Sequence, residues 1–513
     1  MYNFALTWLC LVLAVISAGK RIYAAEFFCP SGNVACLIAA INEANQNGQE
    51  NTINLAAGTY TLTSVDNTTF GSNGLPVITG ATSIRGENAK IAIIARDSGA
   101  PGFRIFDVAV GGRLTLDGLT VRGGFGGDRG GGIRNRGILK ILQSLVRDNR
   151  AIFVGGGIYN ESGSTSIINS TITRNGSTVG GGIASVAEAF PVATVTIQNS
   201  TISDNGGGGL ENAGNMSIIN SAIAGNISNS LGGASGIDNS GALTIANSTI
   251  ARNAGLPRPA SVFSGVVNRG TGTVKLQNTI VALNFPRNSP DTALDCFGPI
   301  TSLGNNILGD PTDCGINLLA TDRTGDPGLG PFVDSGAPGT GRFPLLETSQ
   351  AIDAGNNEAC SSDPALATDQ LGTPRRGLCD IGAIEFYPPV NGLVVLTNMS
   401  TDFDPTPVPG GPAGTFRITA EFTNTSAQLI GHRFAEVIEL SGENLLLNAD
   451  GGPGGVGARL TSPDSASTVF LAGATETFEF VIGLQQQEPF AFLVNMLGDP
   501  QTLNTSVTML GEQ

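Results

Sequence analysis

Few side chains in this sequence have the type and spacing to do chemistry, and the densest group is cationic. Arg122, Arg129, Arg134, Arg136, Lys140, Arg147 and Arg150 fall within 29 residues, with only Asp128 and Asp148 among them. Gathered on one face, they would attract a polyanion. Spread around a turn-rich fold, they are solvated turn charges, the commoner outcome for such a run. Arg129, Arg134, Arg136, Lys140 and Arg147 are therefore the candidate contacts for an acidic polysaccharide or cell-surface glycan. An arginine can also act as a base in a lyase, but the calcium-binding carboxylates that would accompany it have no visible counterpart here.

Other chemistries are thinly represented. The single histidine, His432, lies far from the arginines and reads as a surface or capping residue. No Asp-Asp dipeptide offers the paired carboxylates of a pectin hydrolase, and no Gly-x-Ser-x-Gly elbow is present. Trp8 sits in the N-terminal apolar stretch, and Tyr60, Tyr159 and Tyr387 are the tyrosines beyond it, so sugar-stacking surfaces would have to be Phe. Residues 291–385 carry 14 acidic side chains and four arginines, a net of −10. Asp310, Asp313, Asp322, Asp326 and Asp334 recur there in Gly/Pro loops, as do Asp402 and Asp404 further on. Calcium takes oxygen ligands from such loops, but neither EF-hand nor nonapeptide spacing occurs, so solvated acidic turns are the first reading and calcium the second. No other cofactor is indicated.

Six cysteines form three near-neighbour pairs, which suits disulfides in an oxidising compartment. The expected bridges are Cys29–Cys36, Cys296–Cys314 and Cys360–Cys379. Zinc is a weak alternative, because no Cys-x-x-Cys occurs and only one His is available.

The elements that must position these groups are repeats. Asn169-Ser170-Thr171-Ile172 returns at Asn199, Asn220, Asn247 and, as Asn278-Thr279-Ile280-Val281, at Asn278; Gln143 and Asp117 open weaker copies. The steps from Asp117 are 26, 26, 30, 21, 27 and 31 residues. Ile133, Ile158, Ile183, Leu210 and Ile237 each follow a Gly-rich turn, in phase with the first signal. A period in this range marks a solenoid. Short runs that alternate apolar and polar residues make its elements strands, and no unit carries ten residues of helical periodicity. The reading is a right-handed parallel β-helix, with equivalent strands stacked about 4.8 Å apart. The repeated Asn suits a left-handed corner, and its amide can bond the same amide one coil away. The Asn-x-Ser/Thr triplets follow from the repeat and are not read as glycosylation sites.

The chain has 513 residues, 41% of them hydrophobic, and a formal net charge of −15. Residues 1–25 read as a secretory signal peptide, although Lys20 and Arg21 follow the apolar run instead of preceding it. Its removal moves the charge to −17. Such an acidic exported chain is not a nucleic-acid binder by default, and the mature chain offers no transmembrane span. Residues 26–62 read as a cap and first coil, with an amphipathic helix from Val34 to Gln46 covering the solenoid end. Residues 63–390 read as β-helix coils, about ten in all from residue 50. Residues 391–513, with alternating strands and Pro-Gly turns, read as an immunoglobulin-like β-sandwich.

Two stretches resemble known bacterial modules. The Cys29/Cys36 pair, the helix containing Ala39-Ala40-Ile41-Asn42-Glu43 and Ala57-Gly58-Thr59-Tyr60 resemble the N-terminal CSLREA module, although its Arg-Glu is missing at 35–40. Ala351-Ile352-Asp353-Ala354-Gly355, Asp369-Gln370-Leu371-Gly372, Pro374-Arg375 and Cys379 to Phe386 resemble the defining segment of the choice-of-anchor Q family, here placed at 285–390. The resemblance implies an extracellular bacterial β-helix of largely unassigned activity.

The fold class expected is therefore all-β: a right-handed, pectate-lyase-like parallel β-helix with an N-terminal capping helix, then a sandwich. The function expected is a secreted or cell-surface scaffold, monomeric, whose long side serves adhesion or glycan contact. A β-helix lyase or hydrolase acting on acidic glycans is the alternative. The residue types weigh against an enzyme without closing the question.

Overall fold

The structure, a computed structural model, describes residues 25–186, 192–228, 234–255, 265–286, 294–375, 377–452, 454–461 and 469–501. The signal-peptide reading of residues 1–25 lies, but for Ala25, outside them.

The repeat becomes a parallel β-solenoid. Two sheets of eleven strands and a third of eight run along it, every neighbour parallel and taken from the next coil. Ten strand steps correspond to about 48 Å of axis. The first sheet begins at Glu26–Cys29 and Glu50–Leu55, the former a strand not expected from the sequence. Alternate residues of its strands point inward. Ile141, Ile167, Ile197, Ile218, Ile245 and Leu276 form one such stack, each fully buried. Burial on this scale contributes about 1.5–3 kcal/mol per side chain. The helix Val34–Gln46 buries Leu37, Ala40, Ile41 and Ala44 against the open end, and Asn33 caps it by accepting from the Cys36 amide.

The corner after the first sheet explains the repeated asparagine. Asn169, Asn199, Asn220, Asn247 and Asn278 stack in register there, with φ between 45° and 49°. That region is strained for most side chains and tolerated by Asn. The expectation of amide-to-amide bonding along this column is corrected. A different column does that work. Asn149, Asn175, Asn205, Asn226, Asn253 and Asn284 are buried, and each gives its backbone N–H and its Nδ2 to the side-chain oxygen one coil on, ending on Asp295. A corner asparagine stands on the convex side of its turn and points outward, whereas these residues point into the coil.

The expectation that coils continue to residue 390 is also corrected. The last solenoid strand is Arg323–Thr324. The chain then doubles back along the outer face of the second sheet. That face is apolar, with Ala224, Ala251, Ile280, Ala282 and Ile307 packed under Leu329, Phe343, Leu345, Ala351 and Ile381. All three expected disulfides form, with Cα separations of 5.6, 4.9 and 6.7 Å, inside the range a bridge requires.

Residues 394–501 fold as two antiparallel sheets of four and three strands around a shared core. Phe416, Phe422, Phe478, Phe480, Phe490 and Phe492 meet in edge or stacked contacts within it. The sandwich rests on the returning segment through Tyr387 against Phe434, through Arg342 on Glu436, and through Arg459 on Thr373 and Asp369.

Candidate functional site

The third sheet carries the chemistry. Its strands are short, Ile133–Asn135 and Leu210–Asn212 being typical, so one residue in each points outward. In register these are Asp107, Arg134, Tyr159, Ala184, Glu211, Asp238 and Val267. The Gly-rich turn before each strand packs directly over this column, so Asp107, Tyr159, Ala184, Asp238 and Val267 are buried and Arg134 and Glu211 stay partly exposed. Gly130, Gly155 and Gly180 all have positive φ, and a Cβ at Gly180 would lie 2.9 Å from the Glu211 Cβ.

At one end of this strip four guanidiniums surround two carboxylates. Arg104, 3% exposed, donates to Asp107 at 3.2 Å, to the Phe70 carbonyl at 2.9 Å and to the Arg129 carbonyl at 2.7 Å. Burial, with Asp107 opposing and Arg134 and Arg136 reinforcing, pushes its pKa down to about 10. Arg136 donates to the other Asp107 oxygen at 2.8 Å, and its guanidinium lies 3.7 Å from the Phe70 ring centroid. Arg134 pairs with Glu161 and stands 5.7 Å from the same centroid. Arg129 covers the buried Tyr159 ring and donates to its hydroxyl at 2.8 Å. Phe70 remains 44% exposed.

Two coils further along, Glu211 and Asp238 are register partners on adjacent strands. Arg269 grips Asp238 with Nε at 2.5 Å and Nη2 at 2.9 Å, and the Ala234 amide adds a third bond at 3.1 Å. Glu211 makes no hydrogen bond among the described residues. Burial, then the Asp238 charge, pushes its carboxyl up to about 8. Of the two neighbouring carboxyls, Glu211 is thus the one that keeps its proton at neutral pH.

The structure divides the candidate cluster among three faces. Arg129, Arg134 and Arg136 share the third sheet. Lys140 points out from the first sheet beside Thr115 and Ser166. Arg147 ends a strand of the second sheet and pairs with Asp148, which also takes Arg174. Arg122 and Arg150 line a cleft near Asp97 and Asp148 at the exit of that sheet. Arg104, Glu211, Asp238 and Arg269 were not singled out from the sequence. The signal was present: each follows or neighbours the in-phase apolar residue, and Glu211 and Asp238 come directly after Leu210 and Ile237.

Acidic side chains elsewhere are spent on structure. Asp310, Asp326 and Asp334 accept from backbone amides two residues on, and Asp322 caps Asn306 and Leu319. Among the described residues no three His, Cys, Asp or Glu side chains converge as a metal would need. The motif residues of the returning segment form a buried knot. Asp369 accepts from the Leu371, Thr373 and Glu385 amides, and Asp380 from Asp353 and Phe386. Arg375 donates to Glu385, the Gly382 carbonyl and Asn220. Burial and Glu385 raise Asp380 to about 7. Bonds from Asp369, Asp380 and Arg375 to the chain itself make this a structural clasp, with only the Arg375 Nε of their buried side-chain atoms left without a partner among the described residues. His432 is exposed in the sandwich, with φ 39°.

Comparison with solved structures finds the pectate lyase Pel9A, 14% identical over 71% of this chain and 97% of that one, with a TM-score of 0.39. It also finds the enzymatically active domain of tailspike protein 4 of bacteriophage CBA120, 13% identical over 89% of this chain and 63% of that one, with a TM-score of 0.20. No family model matches the chain, and no curated protein matches it.

Proposed function

We propose that this chain is an exported scaffold that holds an acidic polysaccharide along the outer face of its third sheet. One observation carries the reading: an exposed aromatic ring, Phe70, framed by Arg134 and Arg136, in a patch where four guanidiniums face two carboxylates. A pyranose needs an apolar platform, and a uronate needs a cation beside it. The accessible part of this face is the ring of Phe70 with the partly exposed Arg134 and Arg136 beside it, enough for one or two sugar units. The signal-like N-terminus, the resemblance to choice-of-anchor Q proteins and the three disulfides support export and surface placement.

The test is polygalacturonate binding by calorimetry across a salt series. Affinity is expected to fall steeply with salt, since exposed charges are screened within about 8–10 Å at moderate ionic strength. Phe70→Ala and Arg134→Gln should each weaken binding about tenfold, whereas Lys140→Gln on the first sheet should leave it unchanged. Equal losses at Lys140 and Arg134 would mean diffuse charge attraction and no site.

The carboxyl pair favours a second reading, hydrolysis. Glu211 retains its proton at neutral pH and can give it to a leaving glycosidic oxygen, while Asp238 is held by two bonds from Arg269. The two groups stand on adjacent strands as register partners, an arrangement compatible with a carboxyl pair acting on one bond. New reducing ends that vanish in Glu211→Gln, with binding kept, would establish it. The double hold of Arg269 on Asp238 weakens that carboxylate as a nucleophile, which is why binding leads.

A further inference from the structure

The corner column of amides has two halves in different circumstances. In the later coils these side chains hold the returning segment. Asn220 donates to the Ala365 and Thr368 carbonyls at 2.6 and 2.8 Å, and Asn278 accepts from the Asn356 amide at 2.7 Å. In the earlier coils Gln143, Asn169 and Asn199 make no side-chain hydrogen bond among the described residues. They line an open cleft of about 500 Å³ between the solenoid corner, the returning segment at 337–340 and 370–372, and the sandwich at 449–452.

Gln370 forms part of the same wall and is 3% exposed. Its Nε2 donates to Thr201 Oγ1 at 3.1 Å and to the Gly339 and Gly341 carbonyls, both at 2.8 Å. Those acceptors fix the amide orientation, because a flipped oxygen would face two carbonyls. Gln370 Oε1 is thereby left without a donor, as is Asn199 Oδ1. Buried acceptors in this state are unfavourable until a donor arrives.

We infer that this cleft between solenoid and sandwich is a binding site for a neutral saccharide. Each open amide presents one acceptor and a pair of donors, and a sugar hydroxyl both donates and accepts. The charged lining residues are Lys90, Glu87 and Asp450, one cation against two carboxylates, which disfavours the acidic glycan assigned to the third sheet. A peptide could use the same amides but draws its specificity from side-chain pockets. Beyond alanines, the apolar lining here is only Pro338 and Leu371. The site occupies a domain boundary, where small-molecule sites concentrate, and it is independent of the polyanion strip.

The experiment titrates the full chain with three neutral hexasaccharides, cellohexaose, maltohexaose and laminarihexaose, at low and high salt. At least one should bind with a Kd of about 1 mM or tighter, insensitive to salt. Asn169→Gly with Asn199→Gly removes two amides while keeping the left-handed backbone, and should weaken binding at least about tenfold. Gln143→Gly, also at a left-handed position, repeats the test should the double variant fail to fold. Asn247→Gly, in the same column but outside the cleft, should change affinity less than about twofold. Phe70→Ala should leave neutral-sugar binding intact, which separates this site from the acidic one. No binding by any of the three sugars, or full affinity in the glycine variants, overturns the proposal.

Discussion

Two asparagine columns run the length of the solenoid, and their residues differ in worth. Asn205 is fully buried, donates to the Ile172 carbonyl and to Asn226, and accepts from the Asn175 amide and side chain. Asn205→Ala strands partners on both neighbouring coils and should destabilise by about 1–3 kcal/mol, read from denaturant midpoints. Asn199→Gly, at a corner that glycine tolerates, should cost well under about 1 kcal/mol. The corner column was legible in the sequence because Asn-Ser-Thr-Ile repeats openly. The ladder column carries nearly the same steps, from Asn149 to Asn284, but its flanking residues vary, so it hides. The arginine cluster was legible as composition only, since a run of 29 residues exceeds one coil and must be dealt around several faces. Arg136 also turned out to be half-buried against Asp107. Arg136→Ser should therefore lower stability by about 1–3 kcal/mol, where turn charges would have cost almost nothing. Glu211 supplies a pH test. Its carboxyl ionises near 4.5 in the unfolded chain and at about 8 in the fold, so between those values the folded state keeps a proton that the unfolded state has lost. Stability therefore falls as pH rises through that window, and Asp380, raised to about 7, adds the same sign. The fall in Tm between about pH 5 and about pH 8 should be smaller in Glu211→Gln; an identical slope would refute the raised pKa.

The element that the sequence concealed is the returning segment. Its Gly, Pro and Asp content reads as loose coils, yet it is held by contacts between residues far apart in the chain. Gly339 donates to Thr171, Ala383 to Thr249 and Gly382 to the Asn278 carbonyl. Nothing in a local pattern announces that the second sheet's outer face needs a cover, although alanines at 222, 224 and 251 mark it as apolar. The Cys360–Cys379 bridge closes an 18-residue gap near the helix Asn357–Ser362 and the clasp at Arg375. A loop of this size contributes about 3 kcal/mol. Reduction should therefore raise amide exchange across 351–386 before it reaches the strands from 138 to 282. Exchange rising first in the third sheet would contradict this order. The capping helix, by contrast, matched its expected bounds, because thirteen residues of helical periodicity opened by the Asn33 cap leave little ambiguity.

At the scale of the whole molecule, the solenoid's returning segment and the sandwich are joined by Arg342 on Glu436 and by Arg459 on Asp369, with Arg459 also holding Glu436 inside the sandwich. Glu436→Gln should loosen this junction and lower the transition of the sandwich more than that of the solenoid, resolved by calorimetry. The solenoid was legible from periodicity, and the sandwich from strand alternation. Their shared cleft was not, because it is made of corner residues between 87 and 199, the returning segment at 337–372 and the sandwich at 449–452, which no local pattern connects. The central claim is that the outer face of the third sheet receives an acidic glycan. A crystal structure of the full chain with a galacturonate hexasaccharide tests it most directly. The sugar is expected against the Phe70 ring, with a uronate on Arg134 or Arg136. Sugar bound instead beside Lys140 and Lys275 on the first sheet, or confined to the sandwich, would contradict the account.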